Sequence, residues 1–303
     1  MPPDTLEALA QRADALLQRL DALLHLVPGP QGPAILPPTD WSAPAYRYRK
    51  RAGWLGGGWL EPVRTLRAPR LDDLREIDEQ KARLVRNLAQ FTAGRPANNM
   101  LLTGARGTGK SSLIKAGLQA HGADGLRLIE VDKADLVDLP DIVQLIEPRP
   151  ERFMIYCDDL SFDEGEAGYK ALKSILDGSV ASASDNVMLV ATSNRRHLLP
   201  EYHRDNAGYK HTDDGEVHPS EAVEEKISLS ERFGLWISFY PFSQDEYLAI
   251  VAQWLRHFGL DEAAIAATRP QALVWALERG SRSGRVAWQF ARDRAGRLPG
   301  QQS

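Results

Sequence analysis

Apolar positions along this chain follow two regimes. From about Leu71 to Phe239, short and almost wholly apolar runs alternate with longer stretches of three-to-four-residue period. The short runs are Met100-Leu101-Leu102, Leu126 to Val131, Phe153 to Cys157, Val187 to Ala191 and Leu235 to Phe239. They predict five strands with both faces covered, since no polar alternation interrupts them. Between them, Leu74, Ile77, Leu84, Leu88 and Phe91 predict one helix from Leu71 to Phe91, ended by Gly94 and Pro96. Ser112 to Leu118, the stretch holding Leu136, Ile142, Leu145 and Ile146, and Tyr169 to Leu176 predict three more. Strands alternating with helices imply an α/β fold with a parallel sheet and right-handed crossovers. After Ser243 only the helical period remains, over 245–257, 260–267, 271–279 and 285–294, which predicts a small helical domain.

The N-terminal part is different. Leu6, Leu9, Ala13, Leu16, Leu17, Leu20, Leu23 and Leu24 form a helical stripe, suited to packing on its own chain, on a neighbouring subunit or on a partner. Pro28, Pro30, Pro33, Pro37, Pro38 and Pro44 then mark a linker or extended arm. Over 46–70, Tyr46, Tyr48, Trp54 and Trp59 interleave with seven cations opposed only by Glu61. A hairpin turning at Gly56-Gly57-Gly58, with packed aromatics and solvated charges, is the favoured expectation. A surface that stacks single-stranded nucleic acid is the alternative. The expected division is therefore 1–45 (helix and linker), 46–70 (basic and aromatic), 71–242 (alternating strands and helices), 243–297 (helical) and a frayed tail at 298–303.

The candidate chemistry starts at Gly104-Ala105-Arg106-Gly107-Thr108-Gly109-Lys110-Ser111, which fits Gly-x-x-x-x-Gly-Lys-Ser/Thr between a strand and a helix. Glycines let the backbone adopt positive φ and approach a ligand, and consecutive N–H groups make an anion nest. The helix starting near Lys110 adds its positive N-terminal end. Lys110 would reach the β- and γ-phosphates of ATP, and the Ser111 hydroxyl would ligate Mg²⁺, with Ser112 completing the contact set. Asp158, at the end of an apolar strand, is placed to hold Mg²⁺ opposite Ser111, and Asp159 to orient or deprotonate water. Asn194 ends the strand expected beside that one. These three segments all fall at strand carboxyl ends, where open parallel sheets bind ligands. Arg232 and Arg285 are candidates to neutralise the transferred phosphate.

Composition narrows the setting. The net charge of −4 argues against a general nucleic-acid binder. A single cysteine, Cys157, excludes an internal disulfide and fits a reducing compartment. No apolar run has the length of a membrane span, and Asp4 and Glu7 stand where a secretory signal would be basic. A cytoplasmic location is expected. His203, His211 and His218 lie among acidic residues over 201–226, but in no metal-ligand spacing, so a long loop is expected there.

Taken in order, the glycine loop, Asp158-Asp159, Asn194, Glu231-Arg232-Phe233 and Gly284-Arg285 resemble AAA+ ATPases over roughly 70–295. Cys157 to Phe162, Thr192 to Leu198 and His218 to Lys226 are similar to an uncharacterised bacterial branch whose core resembles helicase loaders and replication initiators. The resemblance implies a five-stranded P-loop sheet sandwiched by helices, with a helical lid. It implies Walker A at Gly104–Ser111, Walker B at Asp158, sensor 1 at Asn194 and sensor 2 at Arg285. It also implies a finger at Arg232 that reaches a neighbouring subunit, hence a homo-oligomer with ATP bound, and strands of Asp158 and Asn194 beside the glycine-loop strand. One residue departs: Asp159 stands where hydrolytic members carry Glu. The shorter side chain withdraws the carboxylate by about 1.5 Å, and a misplacement near 1 Å costs about 10² in rate. A slow ATPase acting as a loading or remodelling factor is expected. The alternatives are a nucleotide-gated scaffold with negligible hydrolysis, and a single-stranded-DNA-dependent ATPase.

Overall fold

The computed structural model describes residues 16, 19, 35–38, 40–51, 57–162, 166–177, 184–194, 210–211, 217–218 and 229–297. The chain enters through β1 (Ile35–Leu36), β2 (Ala45–Lys50) and β3 (Gly58–Val63). After α1 (Asp78–Thr92) come β4 (Met100–Gly104), α2 (Lys110–His121) and β5 (Leu126–Glu130). Next are α3 (Leu139–Ile146), β6 (Arg152–Cys157), α4 (Ala167–Leu176) and β7 (Val187–Ser193). The two-residue strands β8 (Lys210–His211) and β9 (Val217–His218) pair only with each other. β10 (Leu235–Phe239) precedes the C-terminal helices α5 (Gln244–His257), α6 (Glu262–Glu278) and α7 (Gly284–Gly296).

Eight strands form one sheet in the order β1-β3-β2-β5-β6-β7-β4-β10. Every neighbouring pair is parallel except β2 with β3. The five expected strands are present and parallel, and three more extend the sheet past β5. The glycine-loop strand β4 lies beside β7, so the Asn194 strand is its direct neighbour. The Asp158 strand β6 is one place further out, which corrects the expectation that both adjoin β4.

Both faces are covered, and the strands divide their side chains between them. Met100, Leu102, Met154 and Tyr156 pack with Leu84 and Leu88 of α1 and Leu113 and Ile114 of α2. Leu101, Phe153, Ile155 and Leu189 pack with Ile142 and Val143 of α3 and Leu172 and Ile175 of α4. The absence of alternation in the sequence has this cause.

The basic, aromatic stretch is the β2–β3 hairpin, paired in parallel with β5. Tyr46 and Tyr48 are fully buried under it. Arg47 pairs with Glu130, Arg49 with Glu61, and Lys50 with Asp138. These two tyrosines are packed, as the favoured hairpin expectation has it, and cannot stack on bases, while Trp59 is exposed. Trp54 lies outside the described residues. Ile35–Leu36, within the expected linker, is a strand of the same sheet.

Two helices differ from expectation. Leu71–Asp73 is a separate 3-10 turn, and Glu76 at φ 61° breaks the chain before α1. The stretches 260–267 and 271–279 are the single helix α6, with Pro270 inside it. One buried face, Ile265, Thr268, Ala272 and Ala276, runs across the proline and keeps the helix docked, which offsets the missing N–H. Of the segment 201–226, only the backbone of β8 and β9 is described. Among the described residues no group of three or more His, Cys, Asp or Glu could hold a metal. No helix among them is long and apolar enough to cross a membrane.

Candidate functional site

The site begins where β4 runs out. Gly104 turns the chain at φ 131°, with its Cα hydrogens against the β10 backbone. A Cβ there would stand 1.9 Å from the Phe239 carbonyl oxygen. Gly104→Ala therefore meets both backbone strain and overlap with a neighbouring strand, and should destabilise the fold by about 3 kcal/mol. A thermal melt within a degree or two of wild type would refute this.

Gly107 (φ 75°) and Gly109 (φ 101°) shape the rest of the loop, and α2 starts directly after Gly109. The Thr108 hydroxyl donates to the Ala105 carbonyl at 2.8 Å and closes the loop on itself. Lys110 is buried, and its ammonium donates to Gly104 O (2.7 Å), Ala105 O (2.8 Å) and Asn194 Oδ1 (3.0 Å). Burial lowers its pKa, partly opposed by Asp158 and Asp159.

The ends of β6 and β7 supply the acidic side. Ser111 Oγ donates to Asp158 Oδ1 at 2.9 Å, and Thr192 Oγ1 donates to the same oxygen at 2.5 Å. Burial would raise the Asp158 carboxyl, but the hydroxyls of Thr192, Tyr156 and Ser111 outweigh it and hold the group below its ordinary value. Two of those hydroxyls make regular hydrogen bonds. The third, on buried Tyr156, lies beside the carboxylate outside regular hydrogen-bond geometry. Asp159 sits at φ 52°, its N–H bonded to Thr192 Oγ1 at 2.9 Å. Asn194 Nδ2 donates to Asp159 Oδ1, so one amide links Lys110 to Asp159. Arg106 approaches Asp159 from solvent at 3.8 Å.

The C-terminal helices, expected as a lid, bound the other side. Arg285 N–H contacts the Gly107 carbonyl at 3.4 Å, and a Cβ on Gly107 would lie 2.8 Å from Ser283 Oγ. Loop and lid thus touch through a position that only glycine fits. A cleft of about 980 Å³ lies between them, lined by Lys110, Ser111, Ser112, Asp158, Asp159, Asn194 and Arg285. Arg67 and Arg75, from the segment before α1, and Trp254, His257 and Trp288, from the lid, complete its walls. The sequence reading missed these five. Their only signals are surface cations and helical periodicity, which any solvated or packed face shares. Arg232 does not line this cleft. It pairs with Asp177 at the end of α4.

Residues 42–298 match the family described as Protein of unknown function (DUF815). The chain belongs to the DUF815 family. No curated protein matches its sequence. Solved structures share the fold. One is a mutant of Thermotoga maritima RuvB, at 17% identity and a TM-score of 0.50, with 75% of this chain and 65% of that chain covered. Others are the T. maritima RuvB Holliday junction branch migration motor (16%, TM-score 0.48, 75% and 64%) and the Aeropyrum pernix Orc1 protein in complex with DNA (16%, 0.48, 73% and 59%). The DUF815 chain spans less than two thirds of the length of each. At such identity the likeness is one of architecture. What is shared is a largely parallel sheet followed by helices.

Proposed function

We propose that this DUF815 protein binds ATP with Mg²⁺ and hydrolyses it slowly, as a homo-oligomeric AAA+ loading or remodelling factor. The observation that carries this is the meeting of Lys110, Ser111, Asp158, Asp159 and Asn194 at the ends of β4, β6 and β7. No simpler purpose explains a buried ammonium, a carboxylate held below its ordinary pKa and a glycine loop at one end of the sheet. The cations Arg67, Arg75, Arg106, Lys110 and Arg285 around one cleft suit a polyphosphate.

Magnesium fits the acidic side. The Ser111 hydroxyl and Asp158 carboxylate are hard oxygen donors, and the Tyr156 hydroxyl, outside regular hydrogen-bond geometry, leaves room for further hydrogen bonding there. Bound there, the ion would neutralise charge on the phosphate oxygens. Lys110 would exchange its two loop carbonyls for β- and γ-phosphate oxygens, keeping Asn194 as a third contact. Asp159, anchored by Asn194, would orient the attacking water. Arg285 would read the γ-phosphate from the lid, and its contact with Gly107 would pass closure to the loop. Arg232 would act on a neighbouring subunit's site from beside its Asp177 partner.

The test combines calorimetric titration with ATP·Mg²⁺, turnover, and sizing by light scattering. Expected are binding in the micromolar range, turnover below about 1 s⁻¹, the low end for enzymes, and assembly with ATP. No binding at millimolar ATP would remove the proposal. Binding by a protein that stays monomeric would remove the oligomer and the trans role of Arg232. The second reading, a scaffold gated by nucleotide with negligible hydrolysis, is favoured by the short and left-handed Asp159.

A further inference from the structure

Thr192 is almost wholly buried at the end of β7, and its side chain has two partners, both acidic residues of the site. Its hydroxyl proton goes to Asp158 Oδ1 at 2.5 Å, and its oxygen accepts the Asp159 N–H at 2.9 Å. Its own carbonyl takes the Leu160 N–H at 2.7 Å, which ties the next residue to the same strand. A hydroxyl is one donor and two acceptors, so this single group uses both its donor and an acceptor on neighbouring carboxylate-bearing residues.

We propose that Thr192 is a positioning residue for both acidic groups: it aims the Asp158 carboxylate toward Ser111 and holds the Asp159 backbone in its left-handed turn. This rests on the ATP·Mg²⁺ reading of the cleft. The two tasks need different halves of the hydroxyl. Donation to Oδ1 leaves Oδ2 of Asp158 for a cation. Acceptance from the Asp159 N–H compensates the cost of a positive φ at a non-glycine residue. Ser111 donates to the same oxygen, but its own oxygen is the one a metal would take, whereas that of Thr192 is turned away to the Asp159 N–H. The hydroxyl of Tyr156 lies in the same cluster but outside regular hydrogen-bond geometry with Asp158. Thr192 therefore stays attached to Asp158 when Ser111 changes partner.

The experiment compares wild type, Thr192→Val and Thr192→Ser, using a fluorescent ATP analogue and thermal melts. Valine keeps the shape and removes both bonds, while serine keeps the hydroxyl. The readout is the Mg²⁺ concentration at half-maximal tight binding, beside the analogue's affinity in EDTA. Partners that orient a metal ligand are worth about 10–100-fold in metal affinity. Thr192→Val should raise the Mg²⁺ requirement by about tenfold with the EDTA affinity unchanged, and Thr192→Ser should stay within about twofold of wild type. A purely structural role would lower the melting temperature without moving the Mg²⁺ requirement. If the valine protein does not fold, Thr192→Ala gives the same comparison against serine. An unshifted Mg²⁺ requirement in the hydroxyl-free variant, or serine shifting as far as valine, overturns the assignment alone. A wild type that binds no analogue in either condition overturns the ATP reading and this inference with it.

Discussion

Replacing Lys110 with methionine should abolish nucleotide binding while leaving the fold intact. The ammonium is buried and makes three hydrogen bonds, to Gly104 O, Ala105 O and Asn194 Oδ1. With a triphosphate in the cleft, those donors face charged oxygens, and a hydrogen bond to a charged group is worth about 1.5–3 kcal/mol. Losing two such bonds, about 3–6 kcal/mol, weakens binding by about a hundredfold or more, at roughly 1.4 kcal/mol per factor of ten. The fold should tolerate the change, because methionine fills the same channel and the lost ammonium was itself penalised by burial. The check is an ATP titration beside a thermal melt. Retention of wild-type affinity would mean that the loop binds no phosphate through Lys110, and would remove the central role assigned to it.

The second large effect is expected at Asp159. Lengthening it to glutamate should raise turnover by about tenfold or more, since the carboxylate then gains the reach whose absence costs about 10². The substitution is not free. Asp159 sits at φ 52°, a conformation that aspartate and asparagine tolerate far better than longer side chains. Asp159→Glu should therefore also lower the melting temperature, by the equivalent of about 1 kcal/mol. Faster turnover in a less stable protein would indicate that the natural residue trades rate for a relaxed turn. Turnover at or below wild type would favour the scaffold reading, in which the Asn194–Asp159 link holds a bound nucleotide rather than cleaving it. Single-turnover kinetics with a melt on the same sample would separate the two outcomes.

Several features of this protein were legible because they are local. The glycine loop is a contiguous pattern whose backbone requirement only glycine meets, and Gly104, Gly107 and Gly109 all carry positive φ. The five buried strands announced themselves by unbroken apolar runs, since a strand covered on both faces has no polar side to show. Asp158, Asp159 and Asn194 were found because each ends such a run, and parallel sheets gather those ends. Other features were illegible because they depend on distant partners. The cations of β2 looked unopposed in sequence, yet Glu130 and Asp138 lie more than eighty positions away. Tyr46 and Tyr48 were expected to pack in a hairpin, with stacking on bases as the alternative, and their burial beside β5 decides for packing. Arg232 matched a motif, but only the fold shows it outside its own cleft and beside Asp177.

The sequence by itself thus determined the fold class, the glycine loop between strand and helix and the polar residues at the strand ends. Each follows from short-range periodicity or from a residue type that a backbone geometry demands. Tertiary structure alone decided the three added strands, the placing of β7 between β4 and β6, the walls contributed by Arg67, Trp254 and Trp288, and the two bonds of Thr192. The physical reason is that a hydrogen bond or a wall contact depends on distances set by the packing of the whole sheet. A threonine at the end of an apolar strand is an ordinary β-former until the neighbouring strand brings Asp158 within 2.5 Å of its hydroxyl.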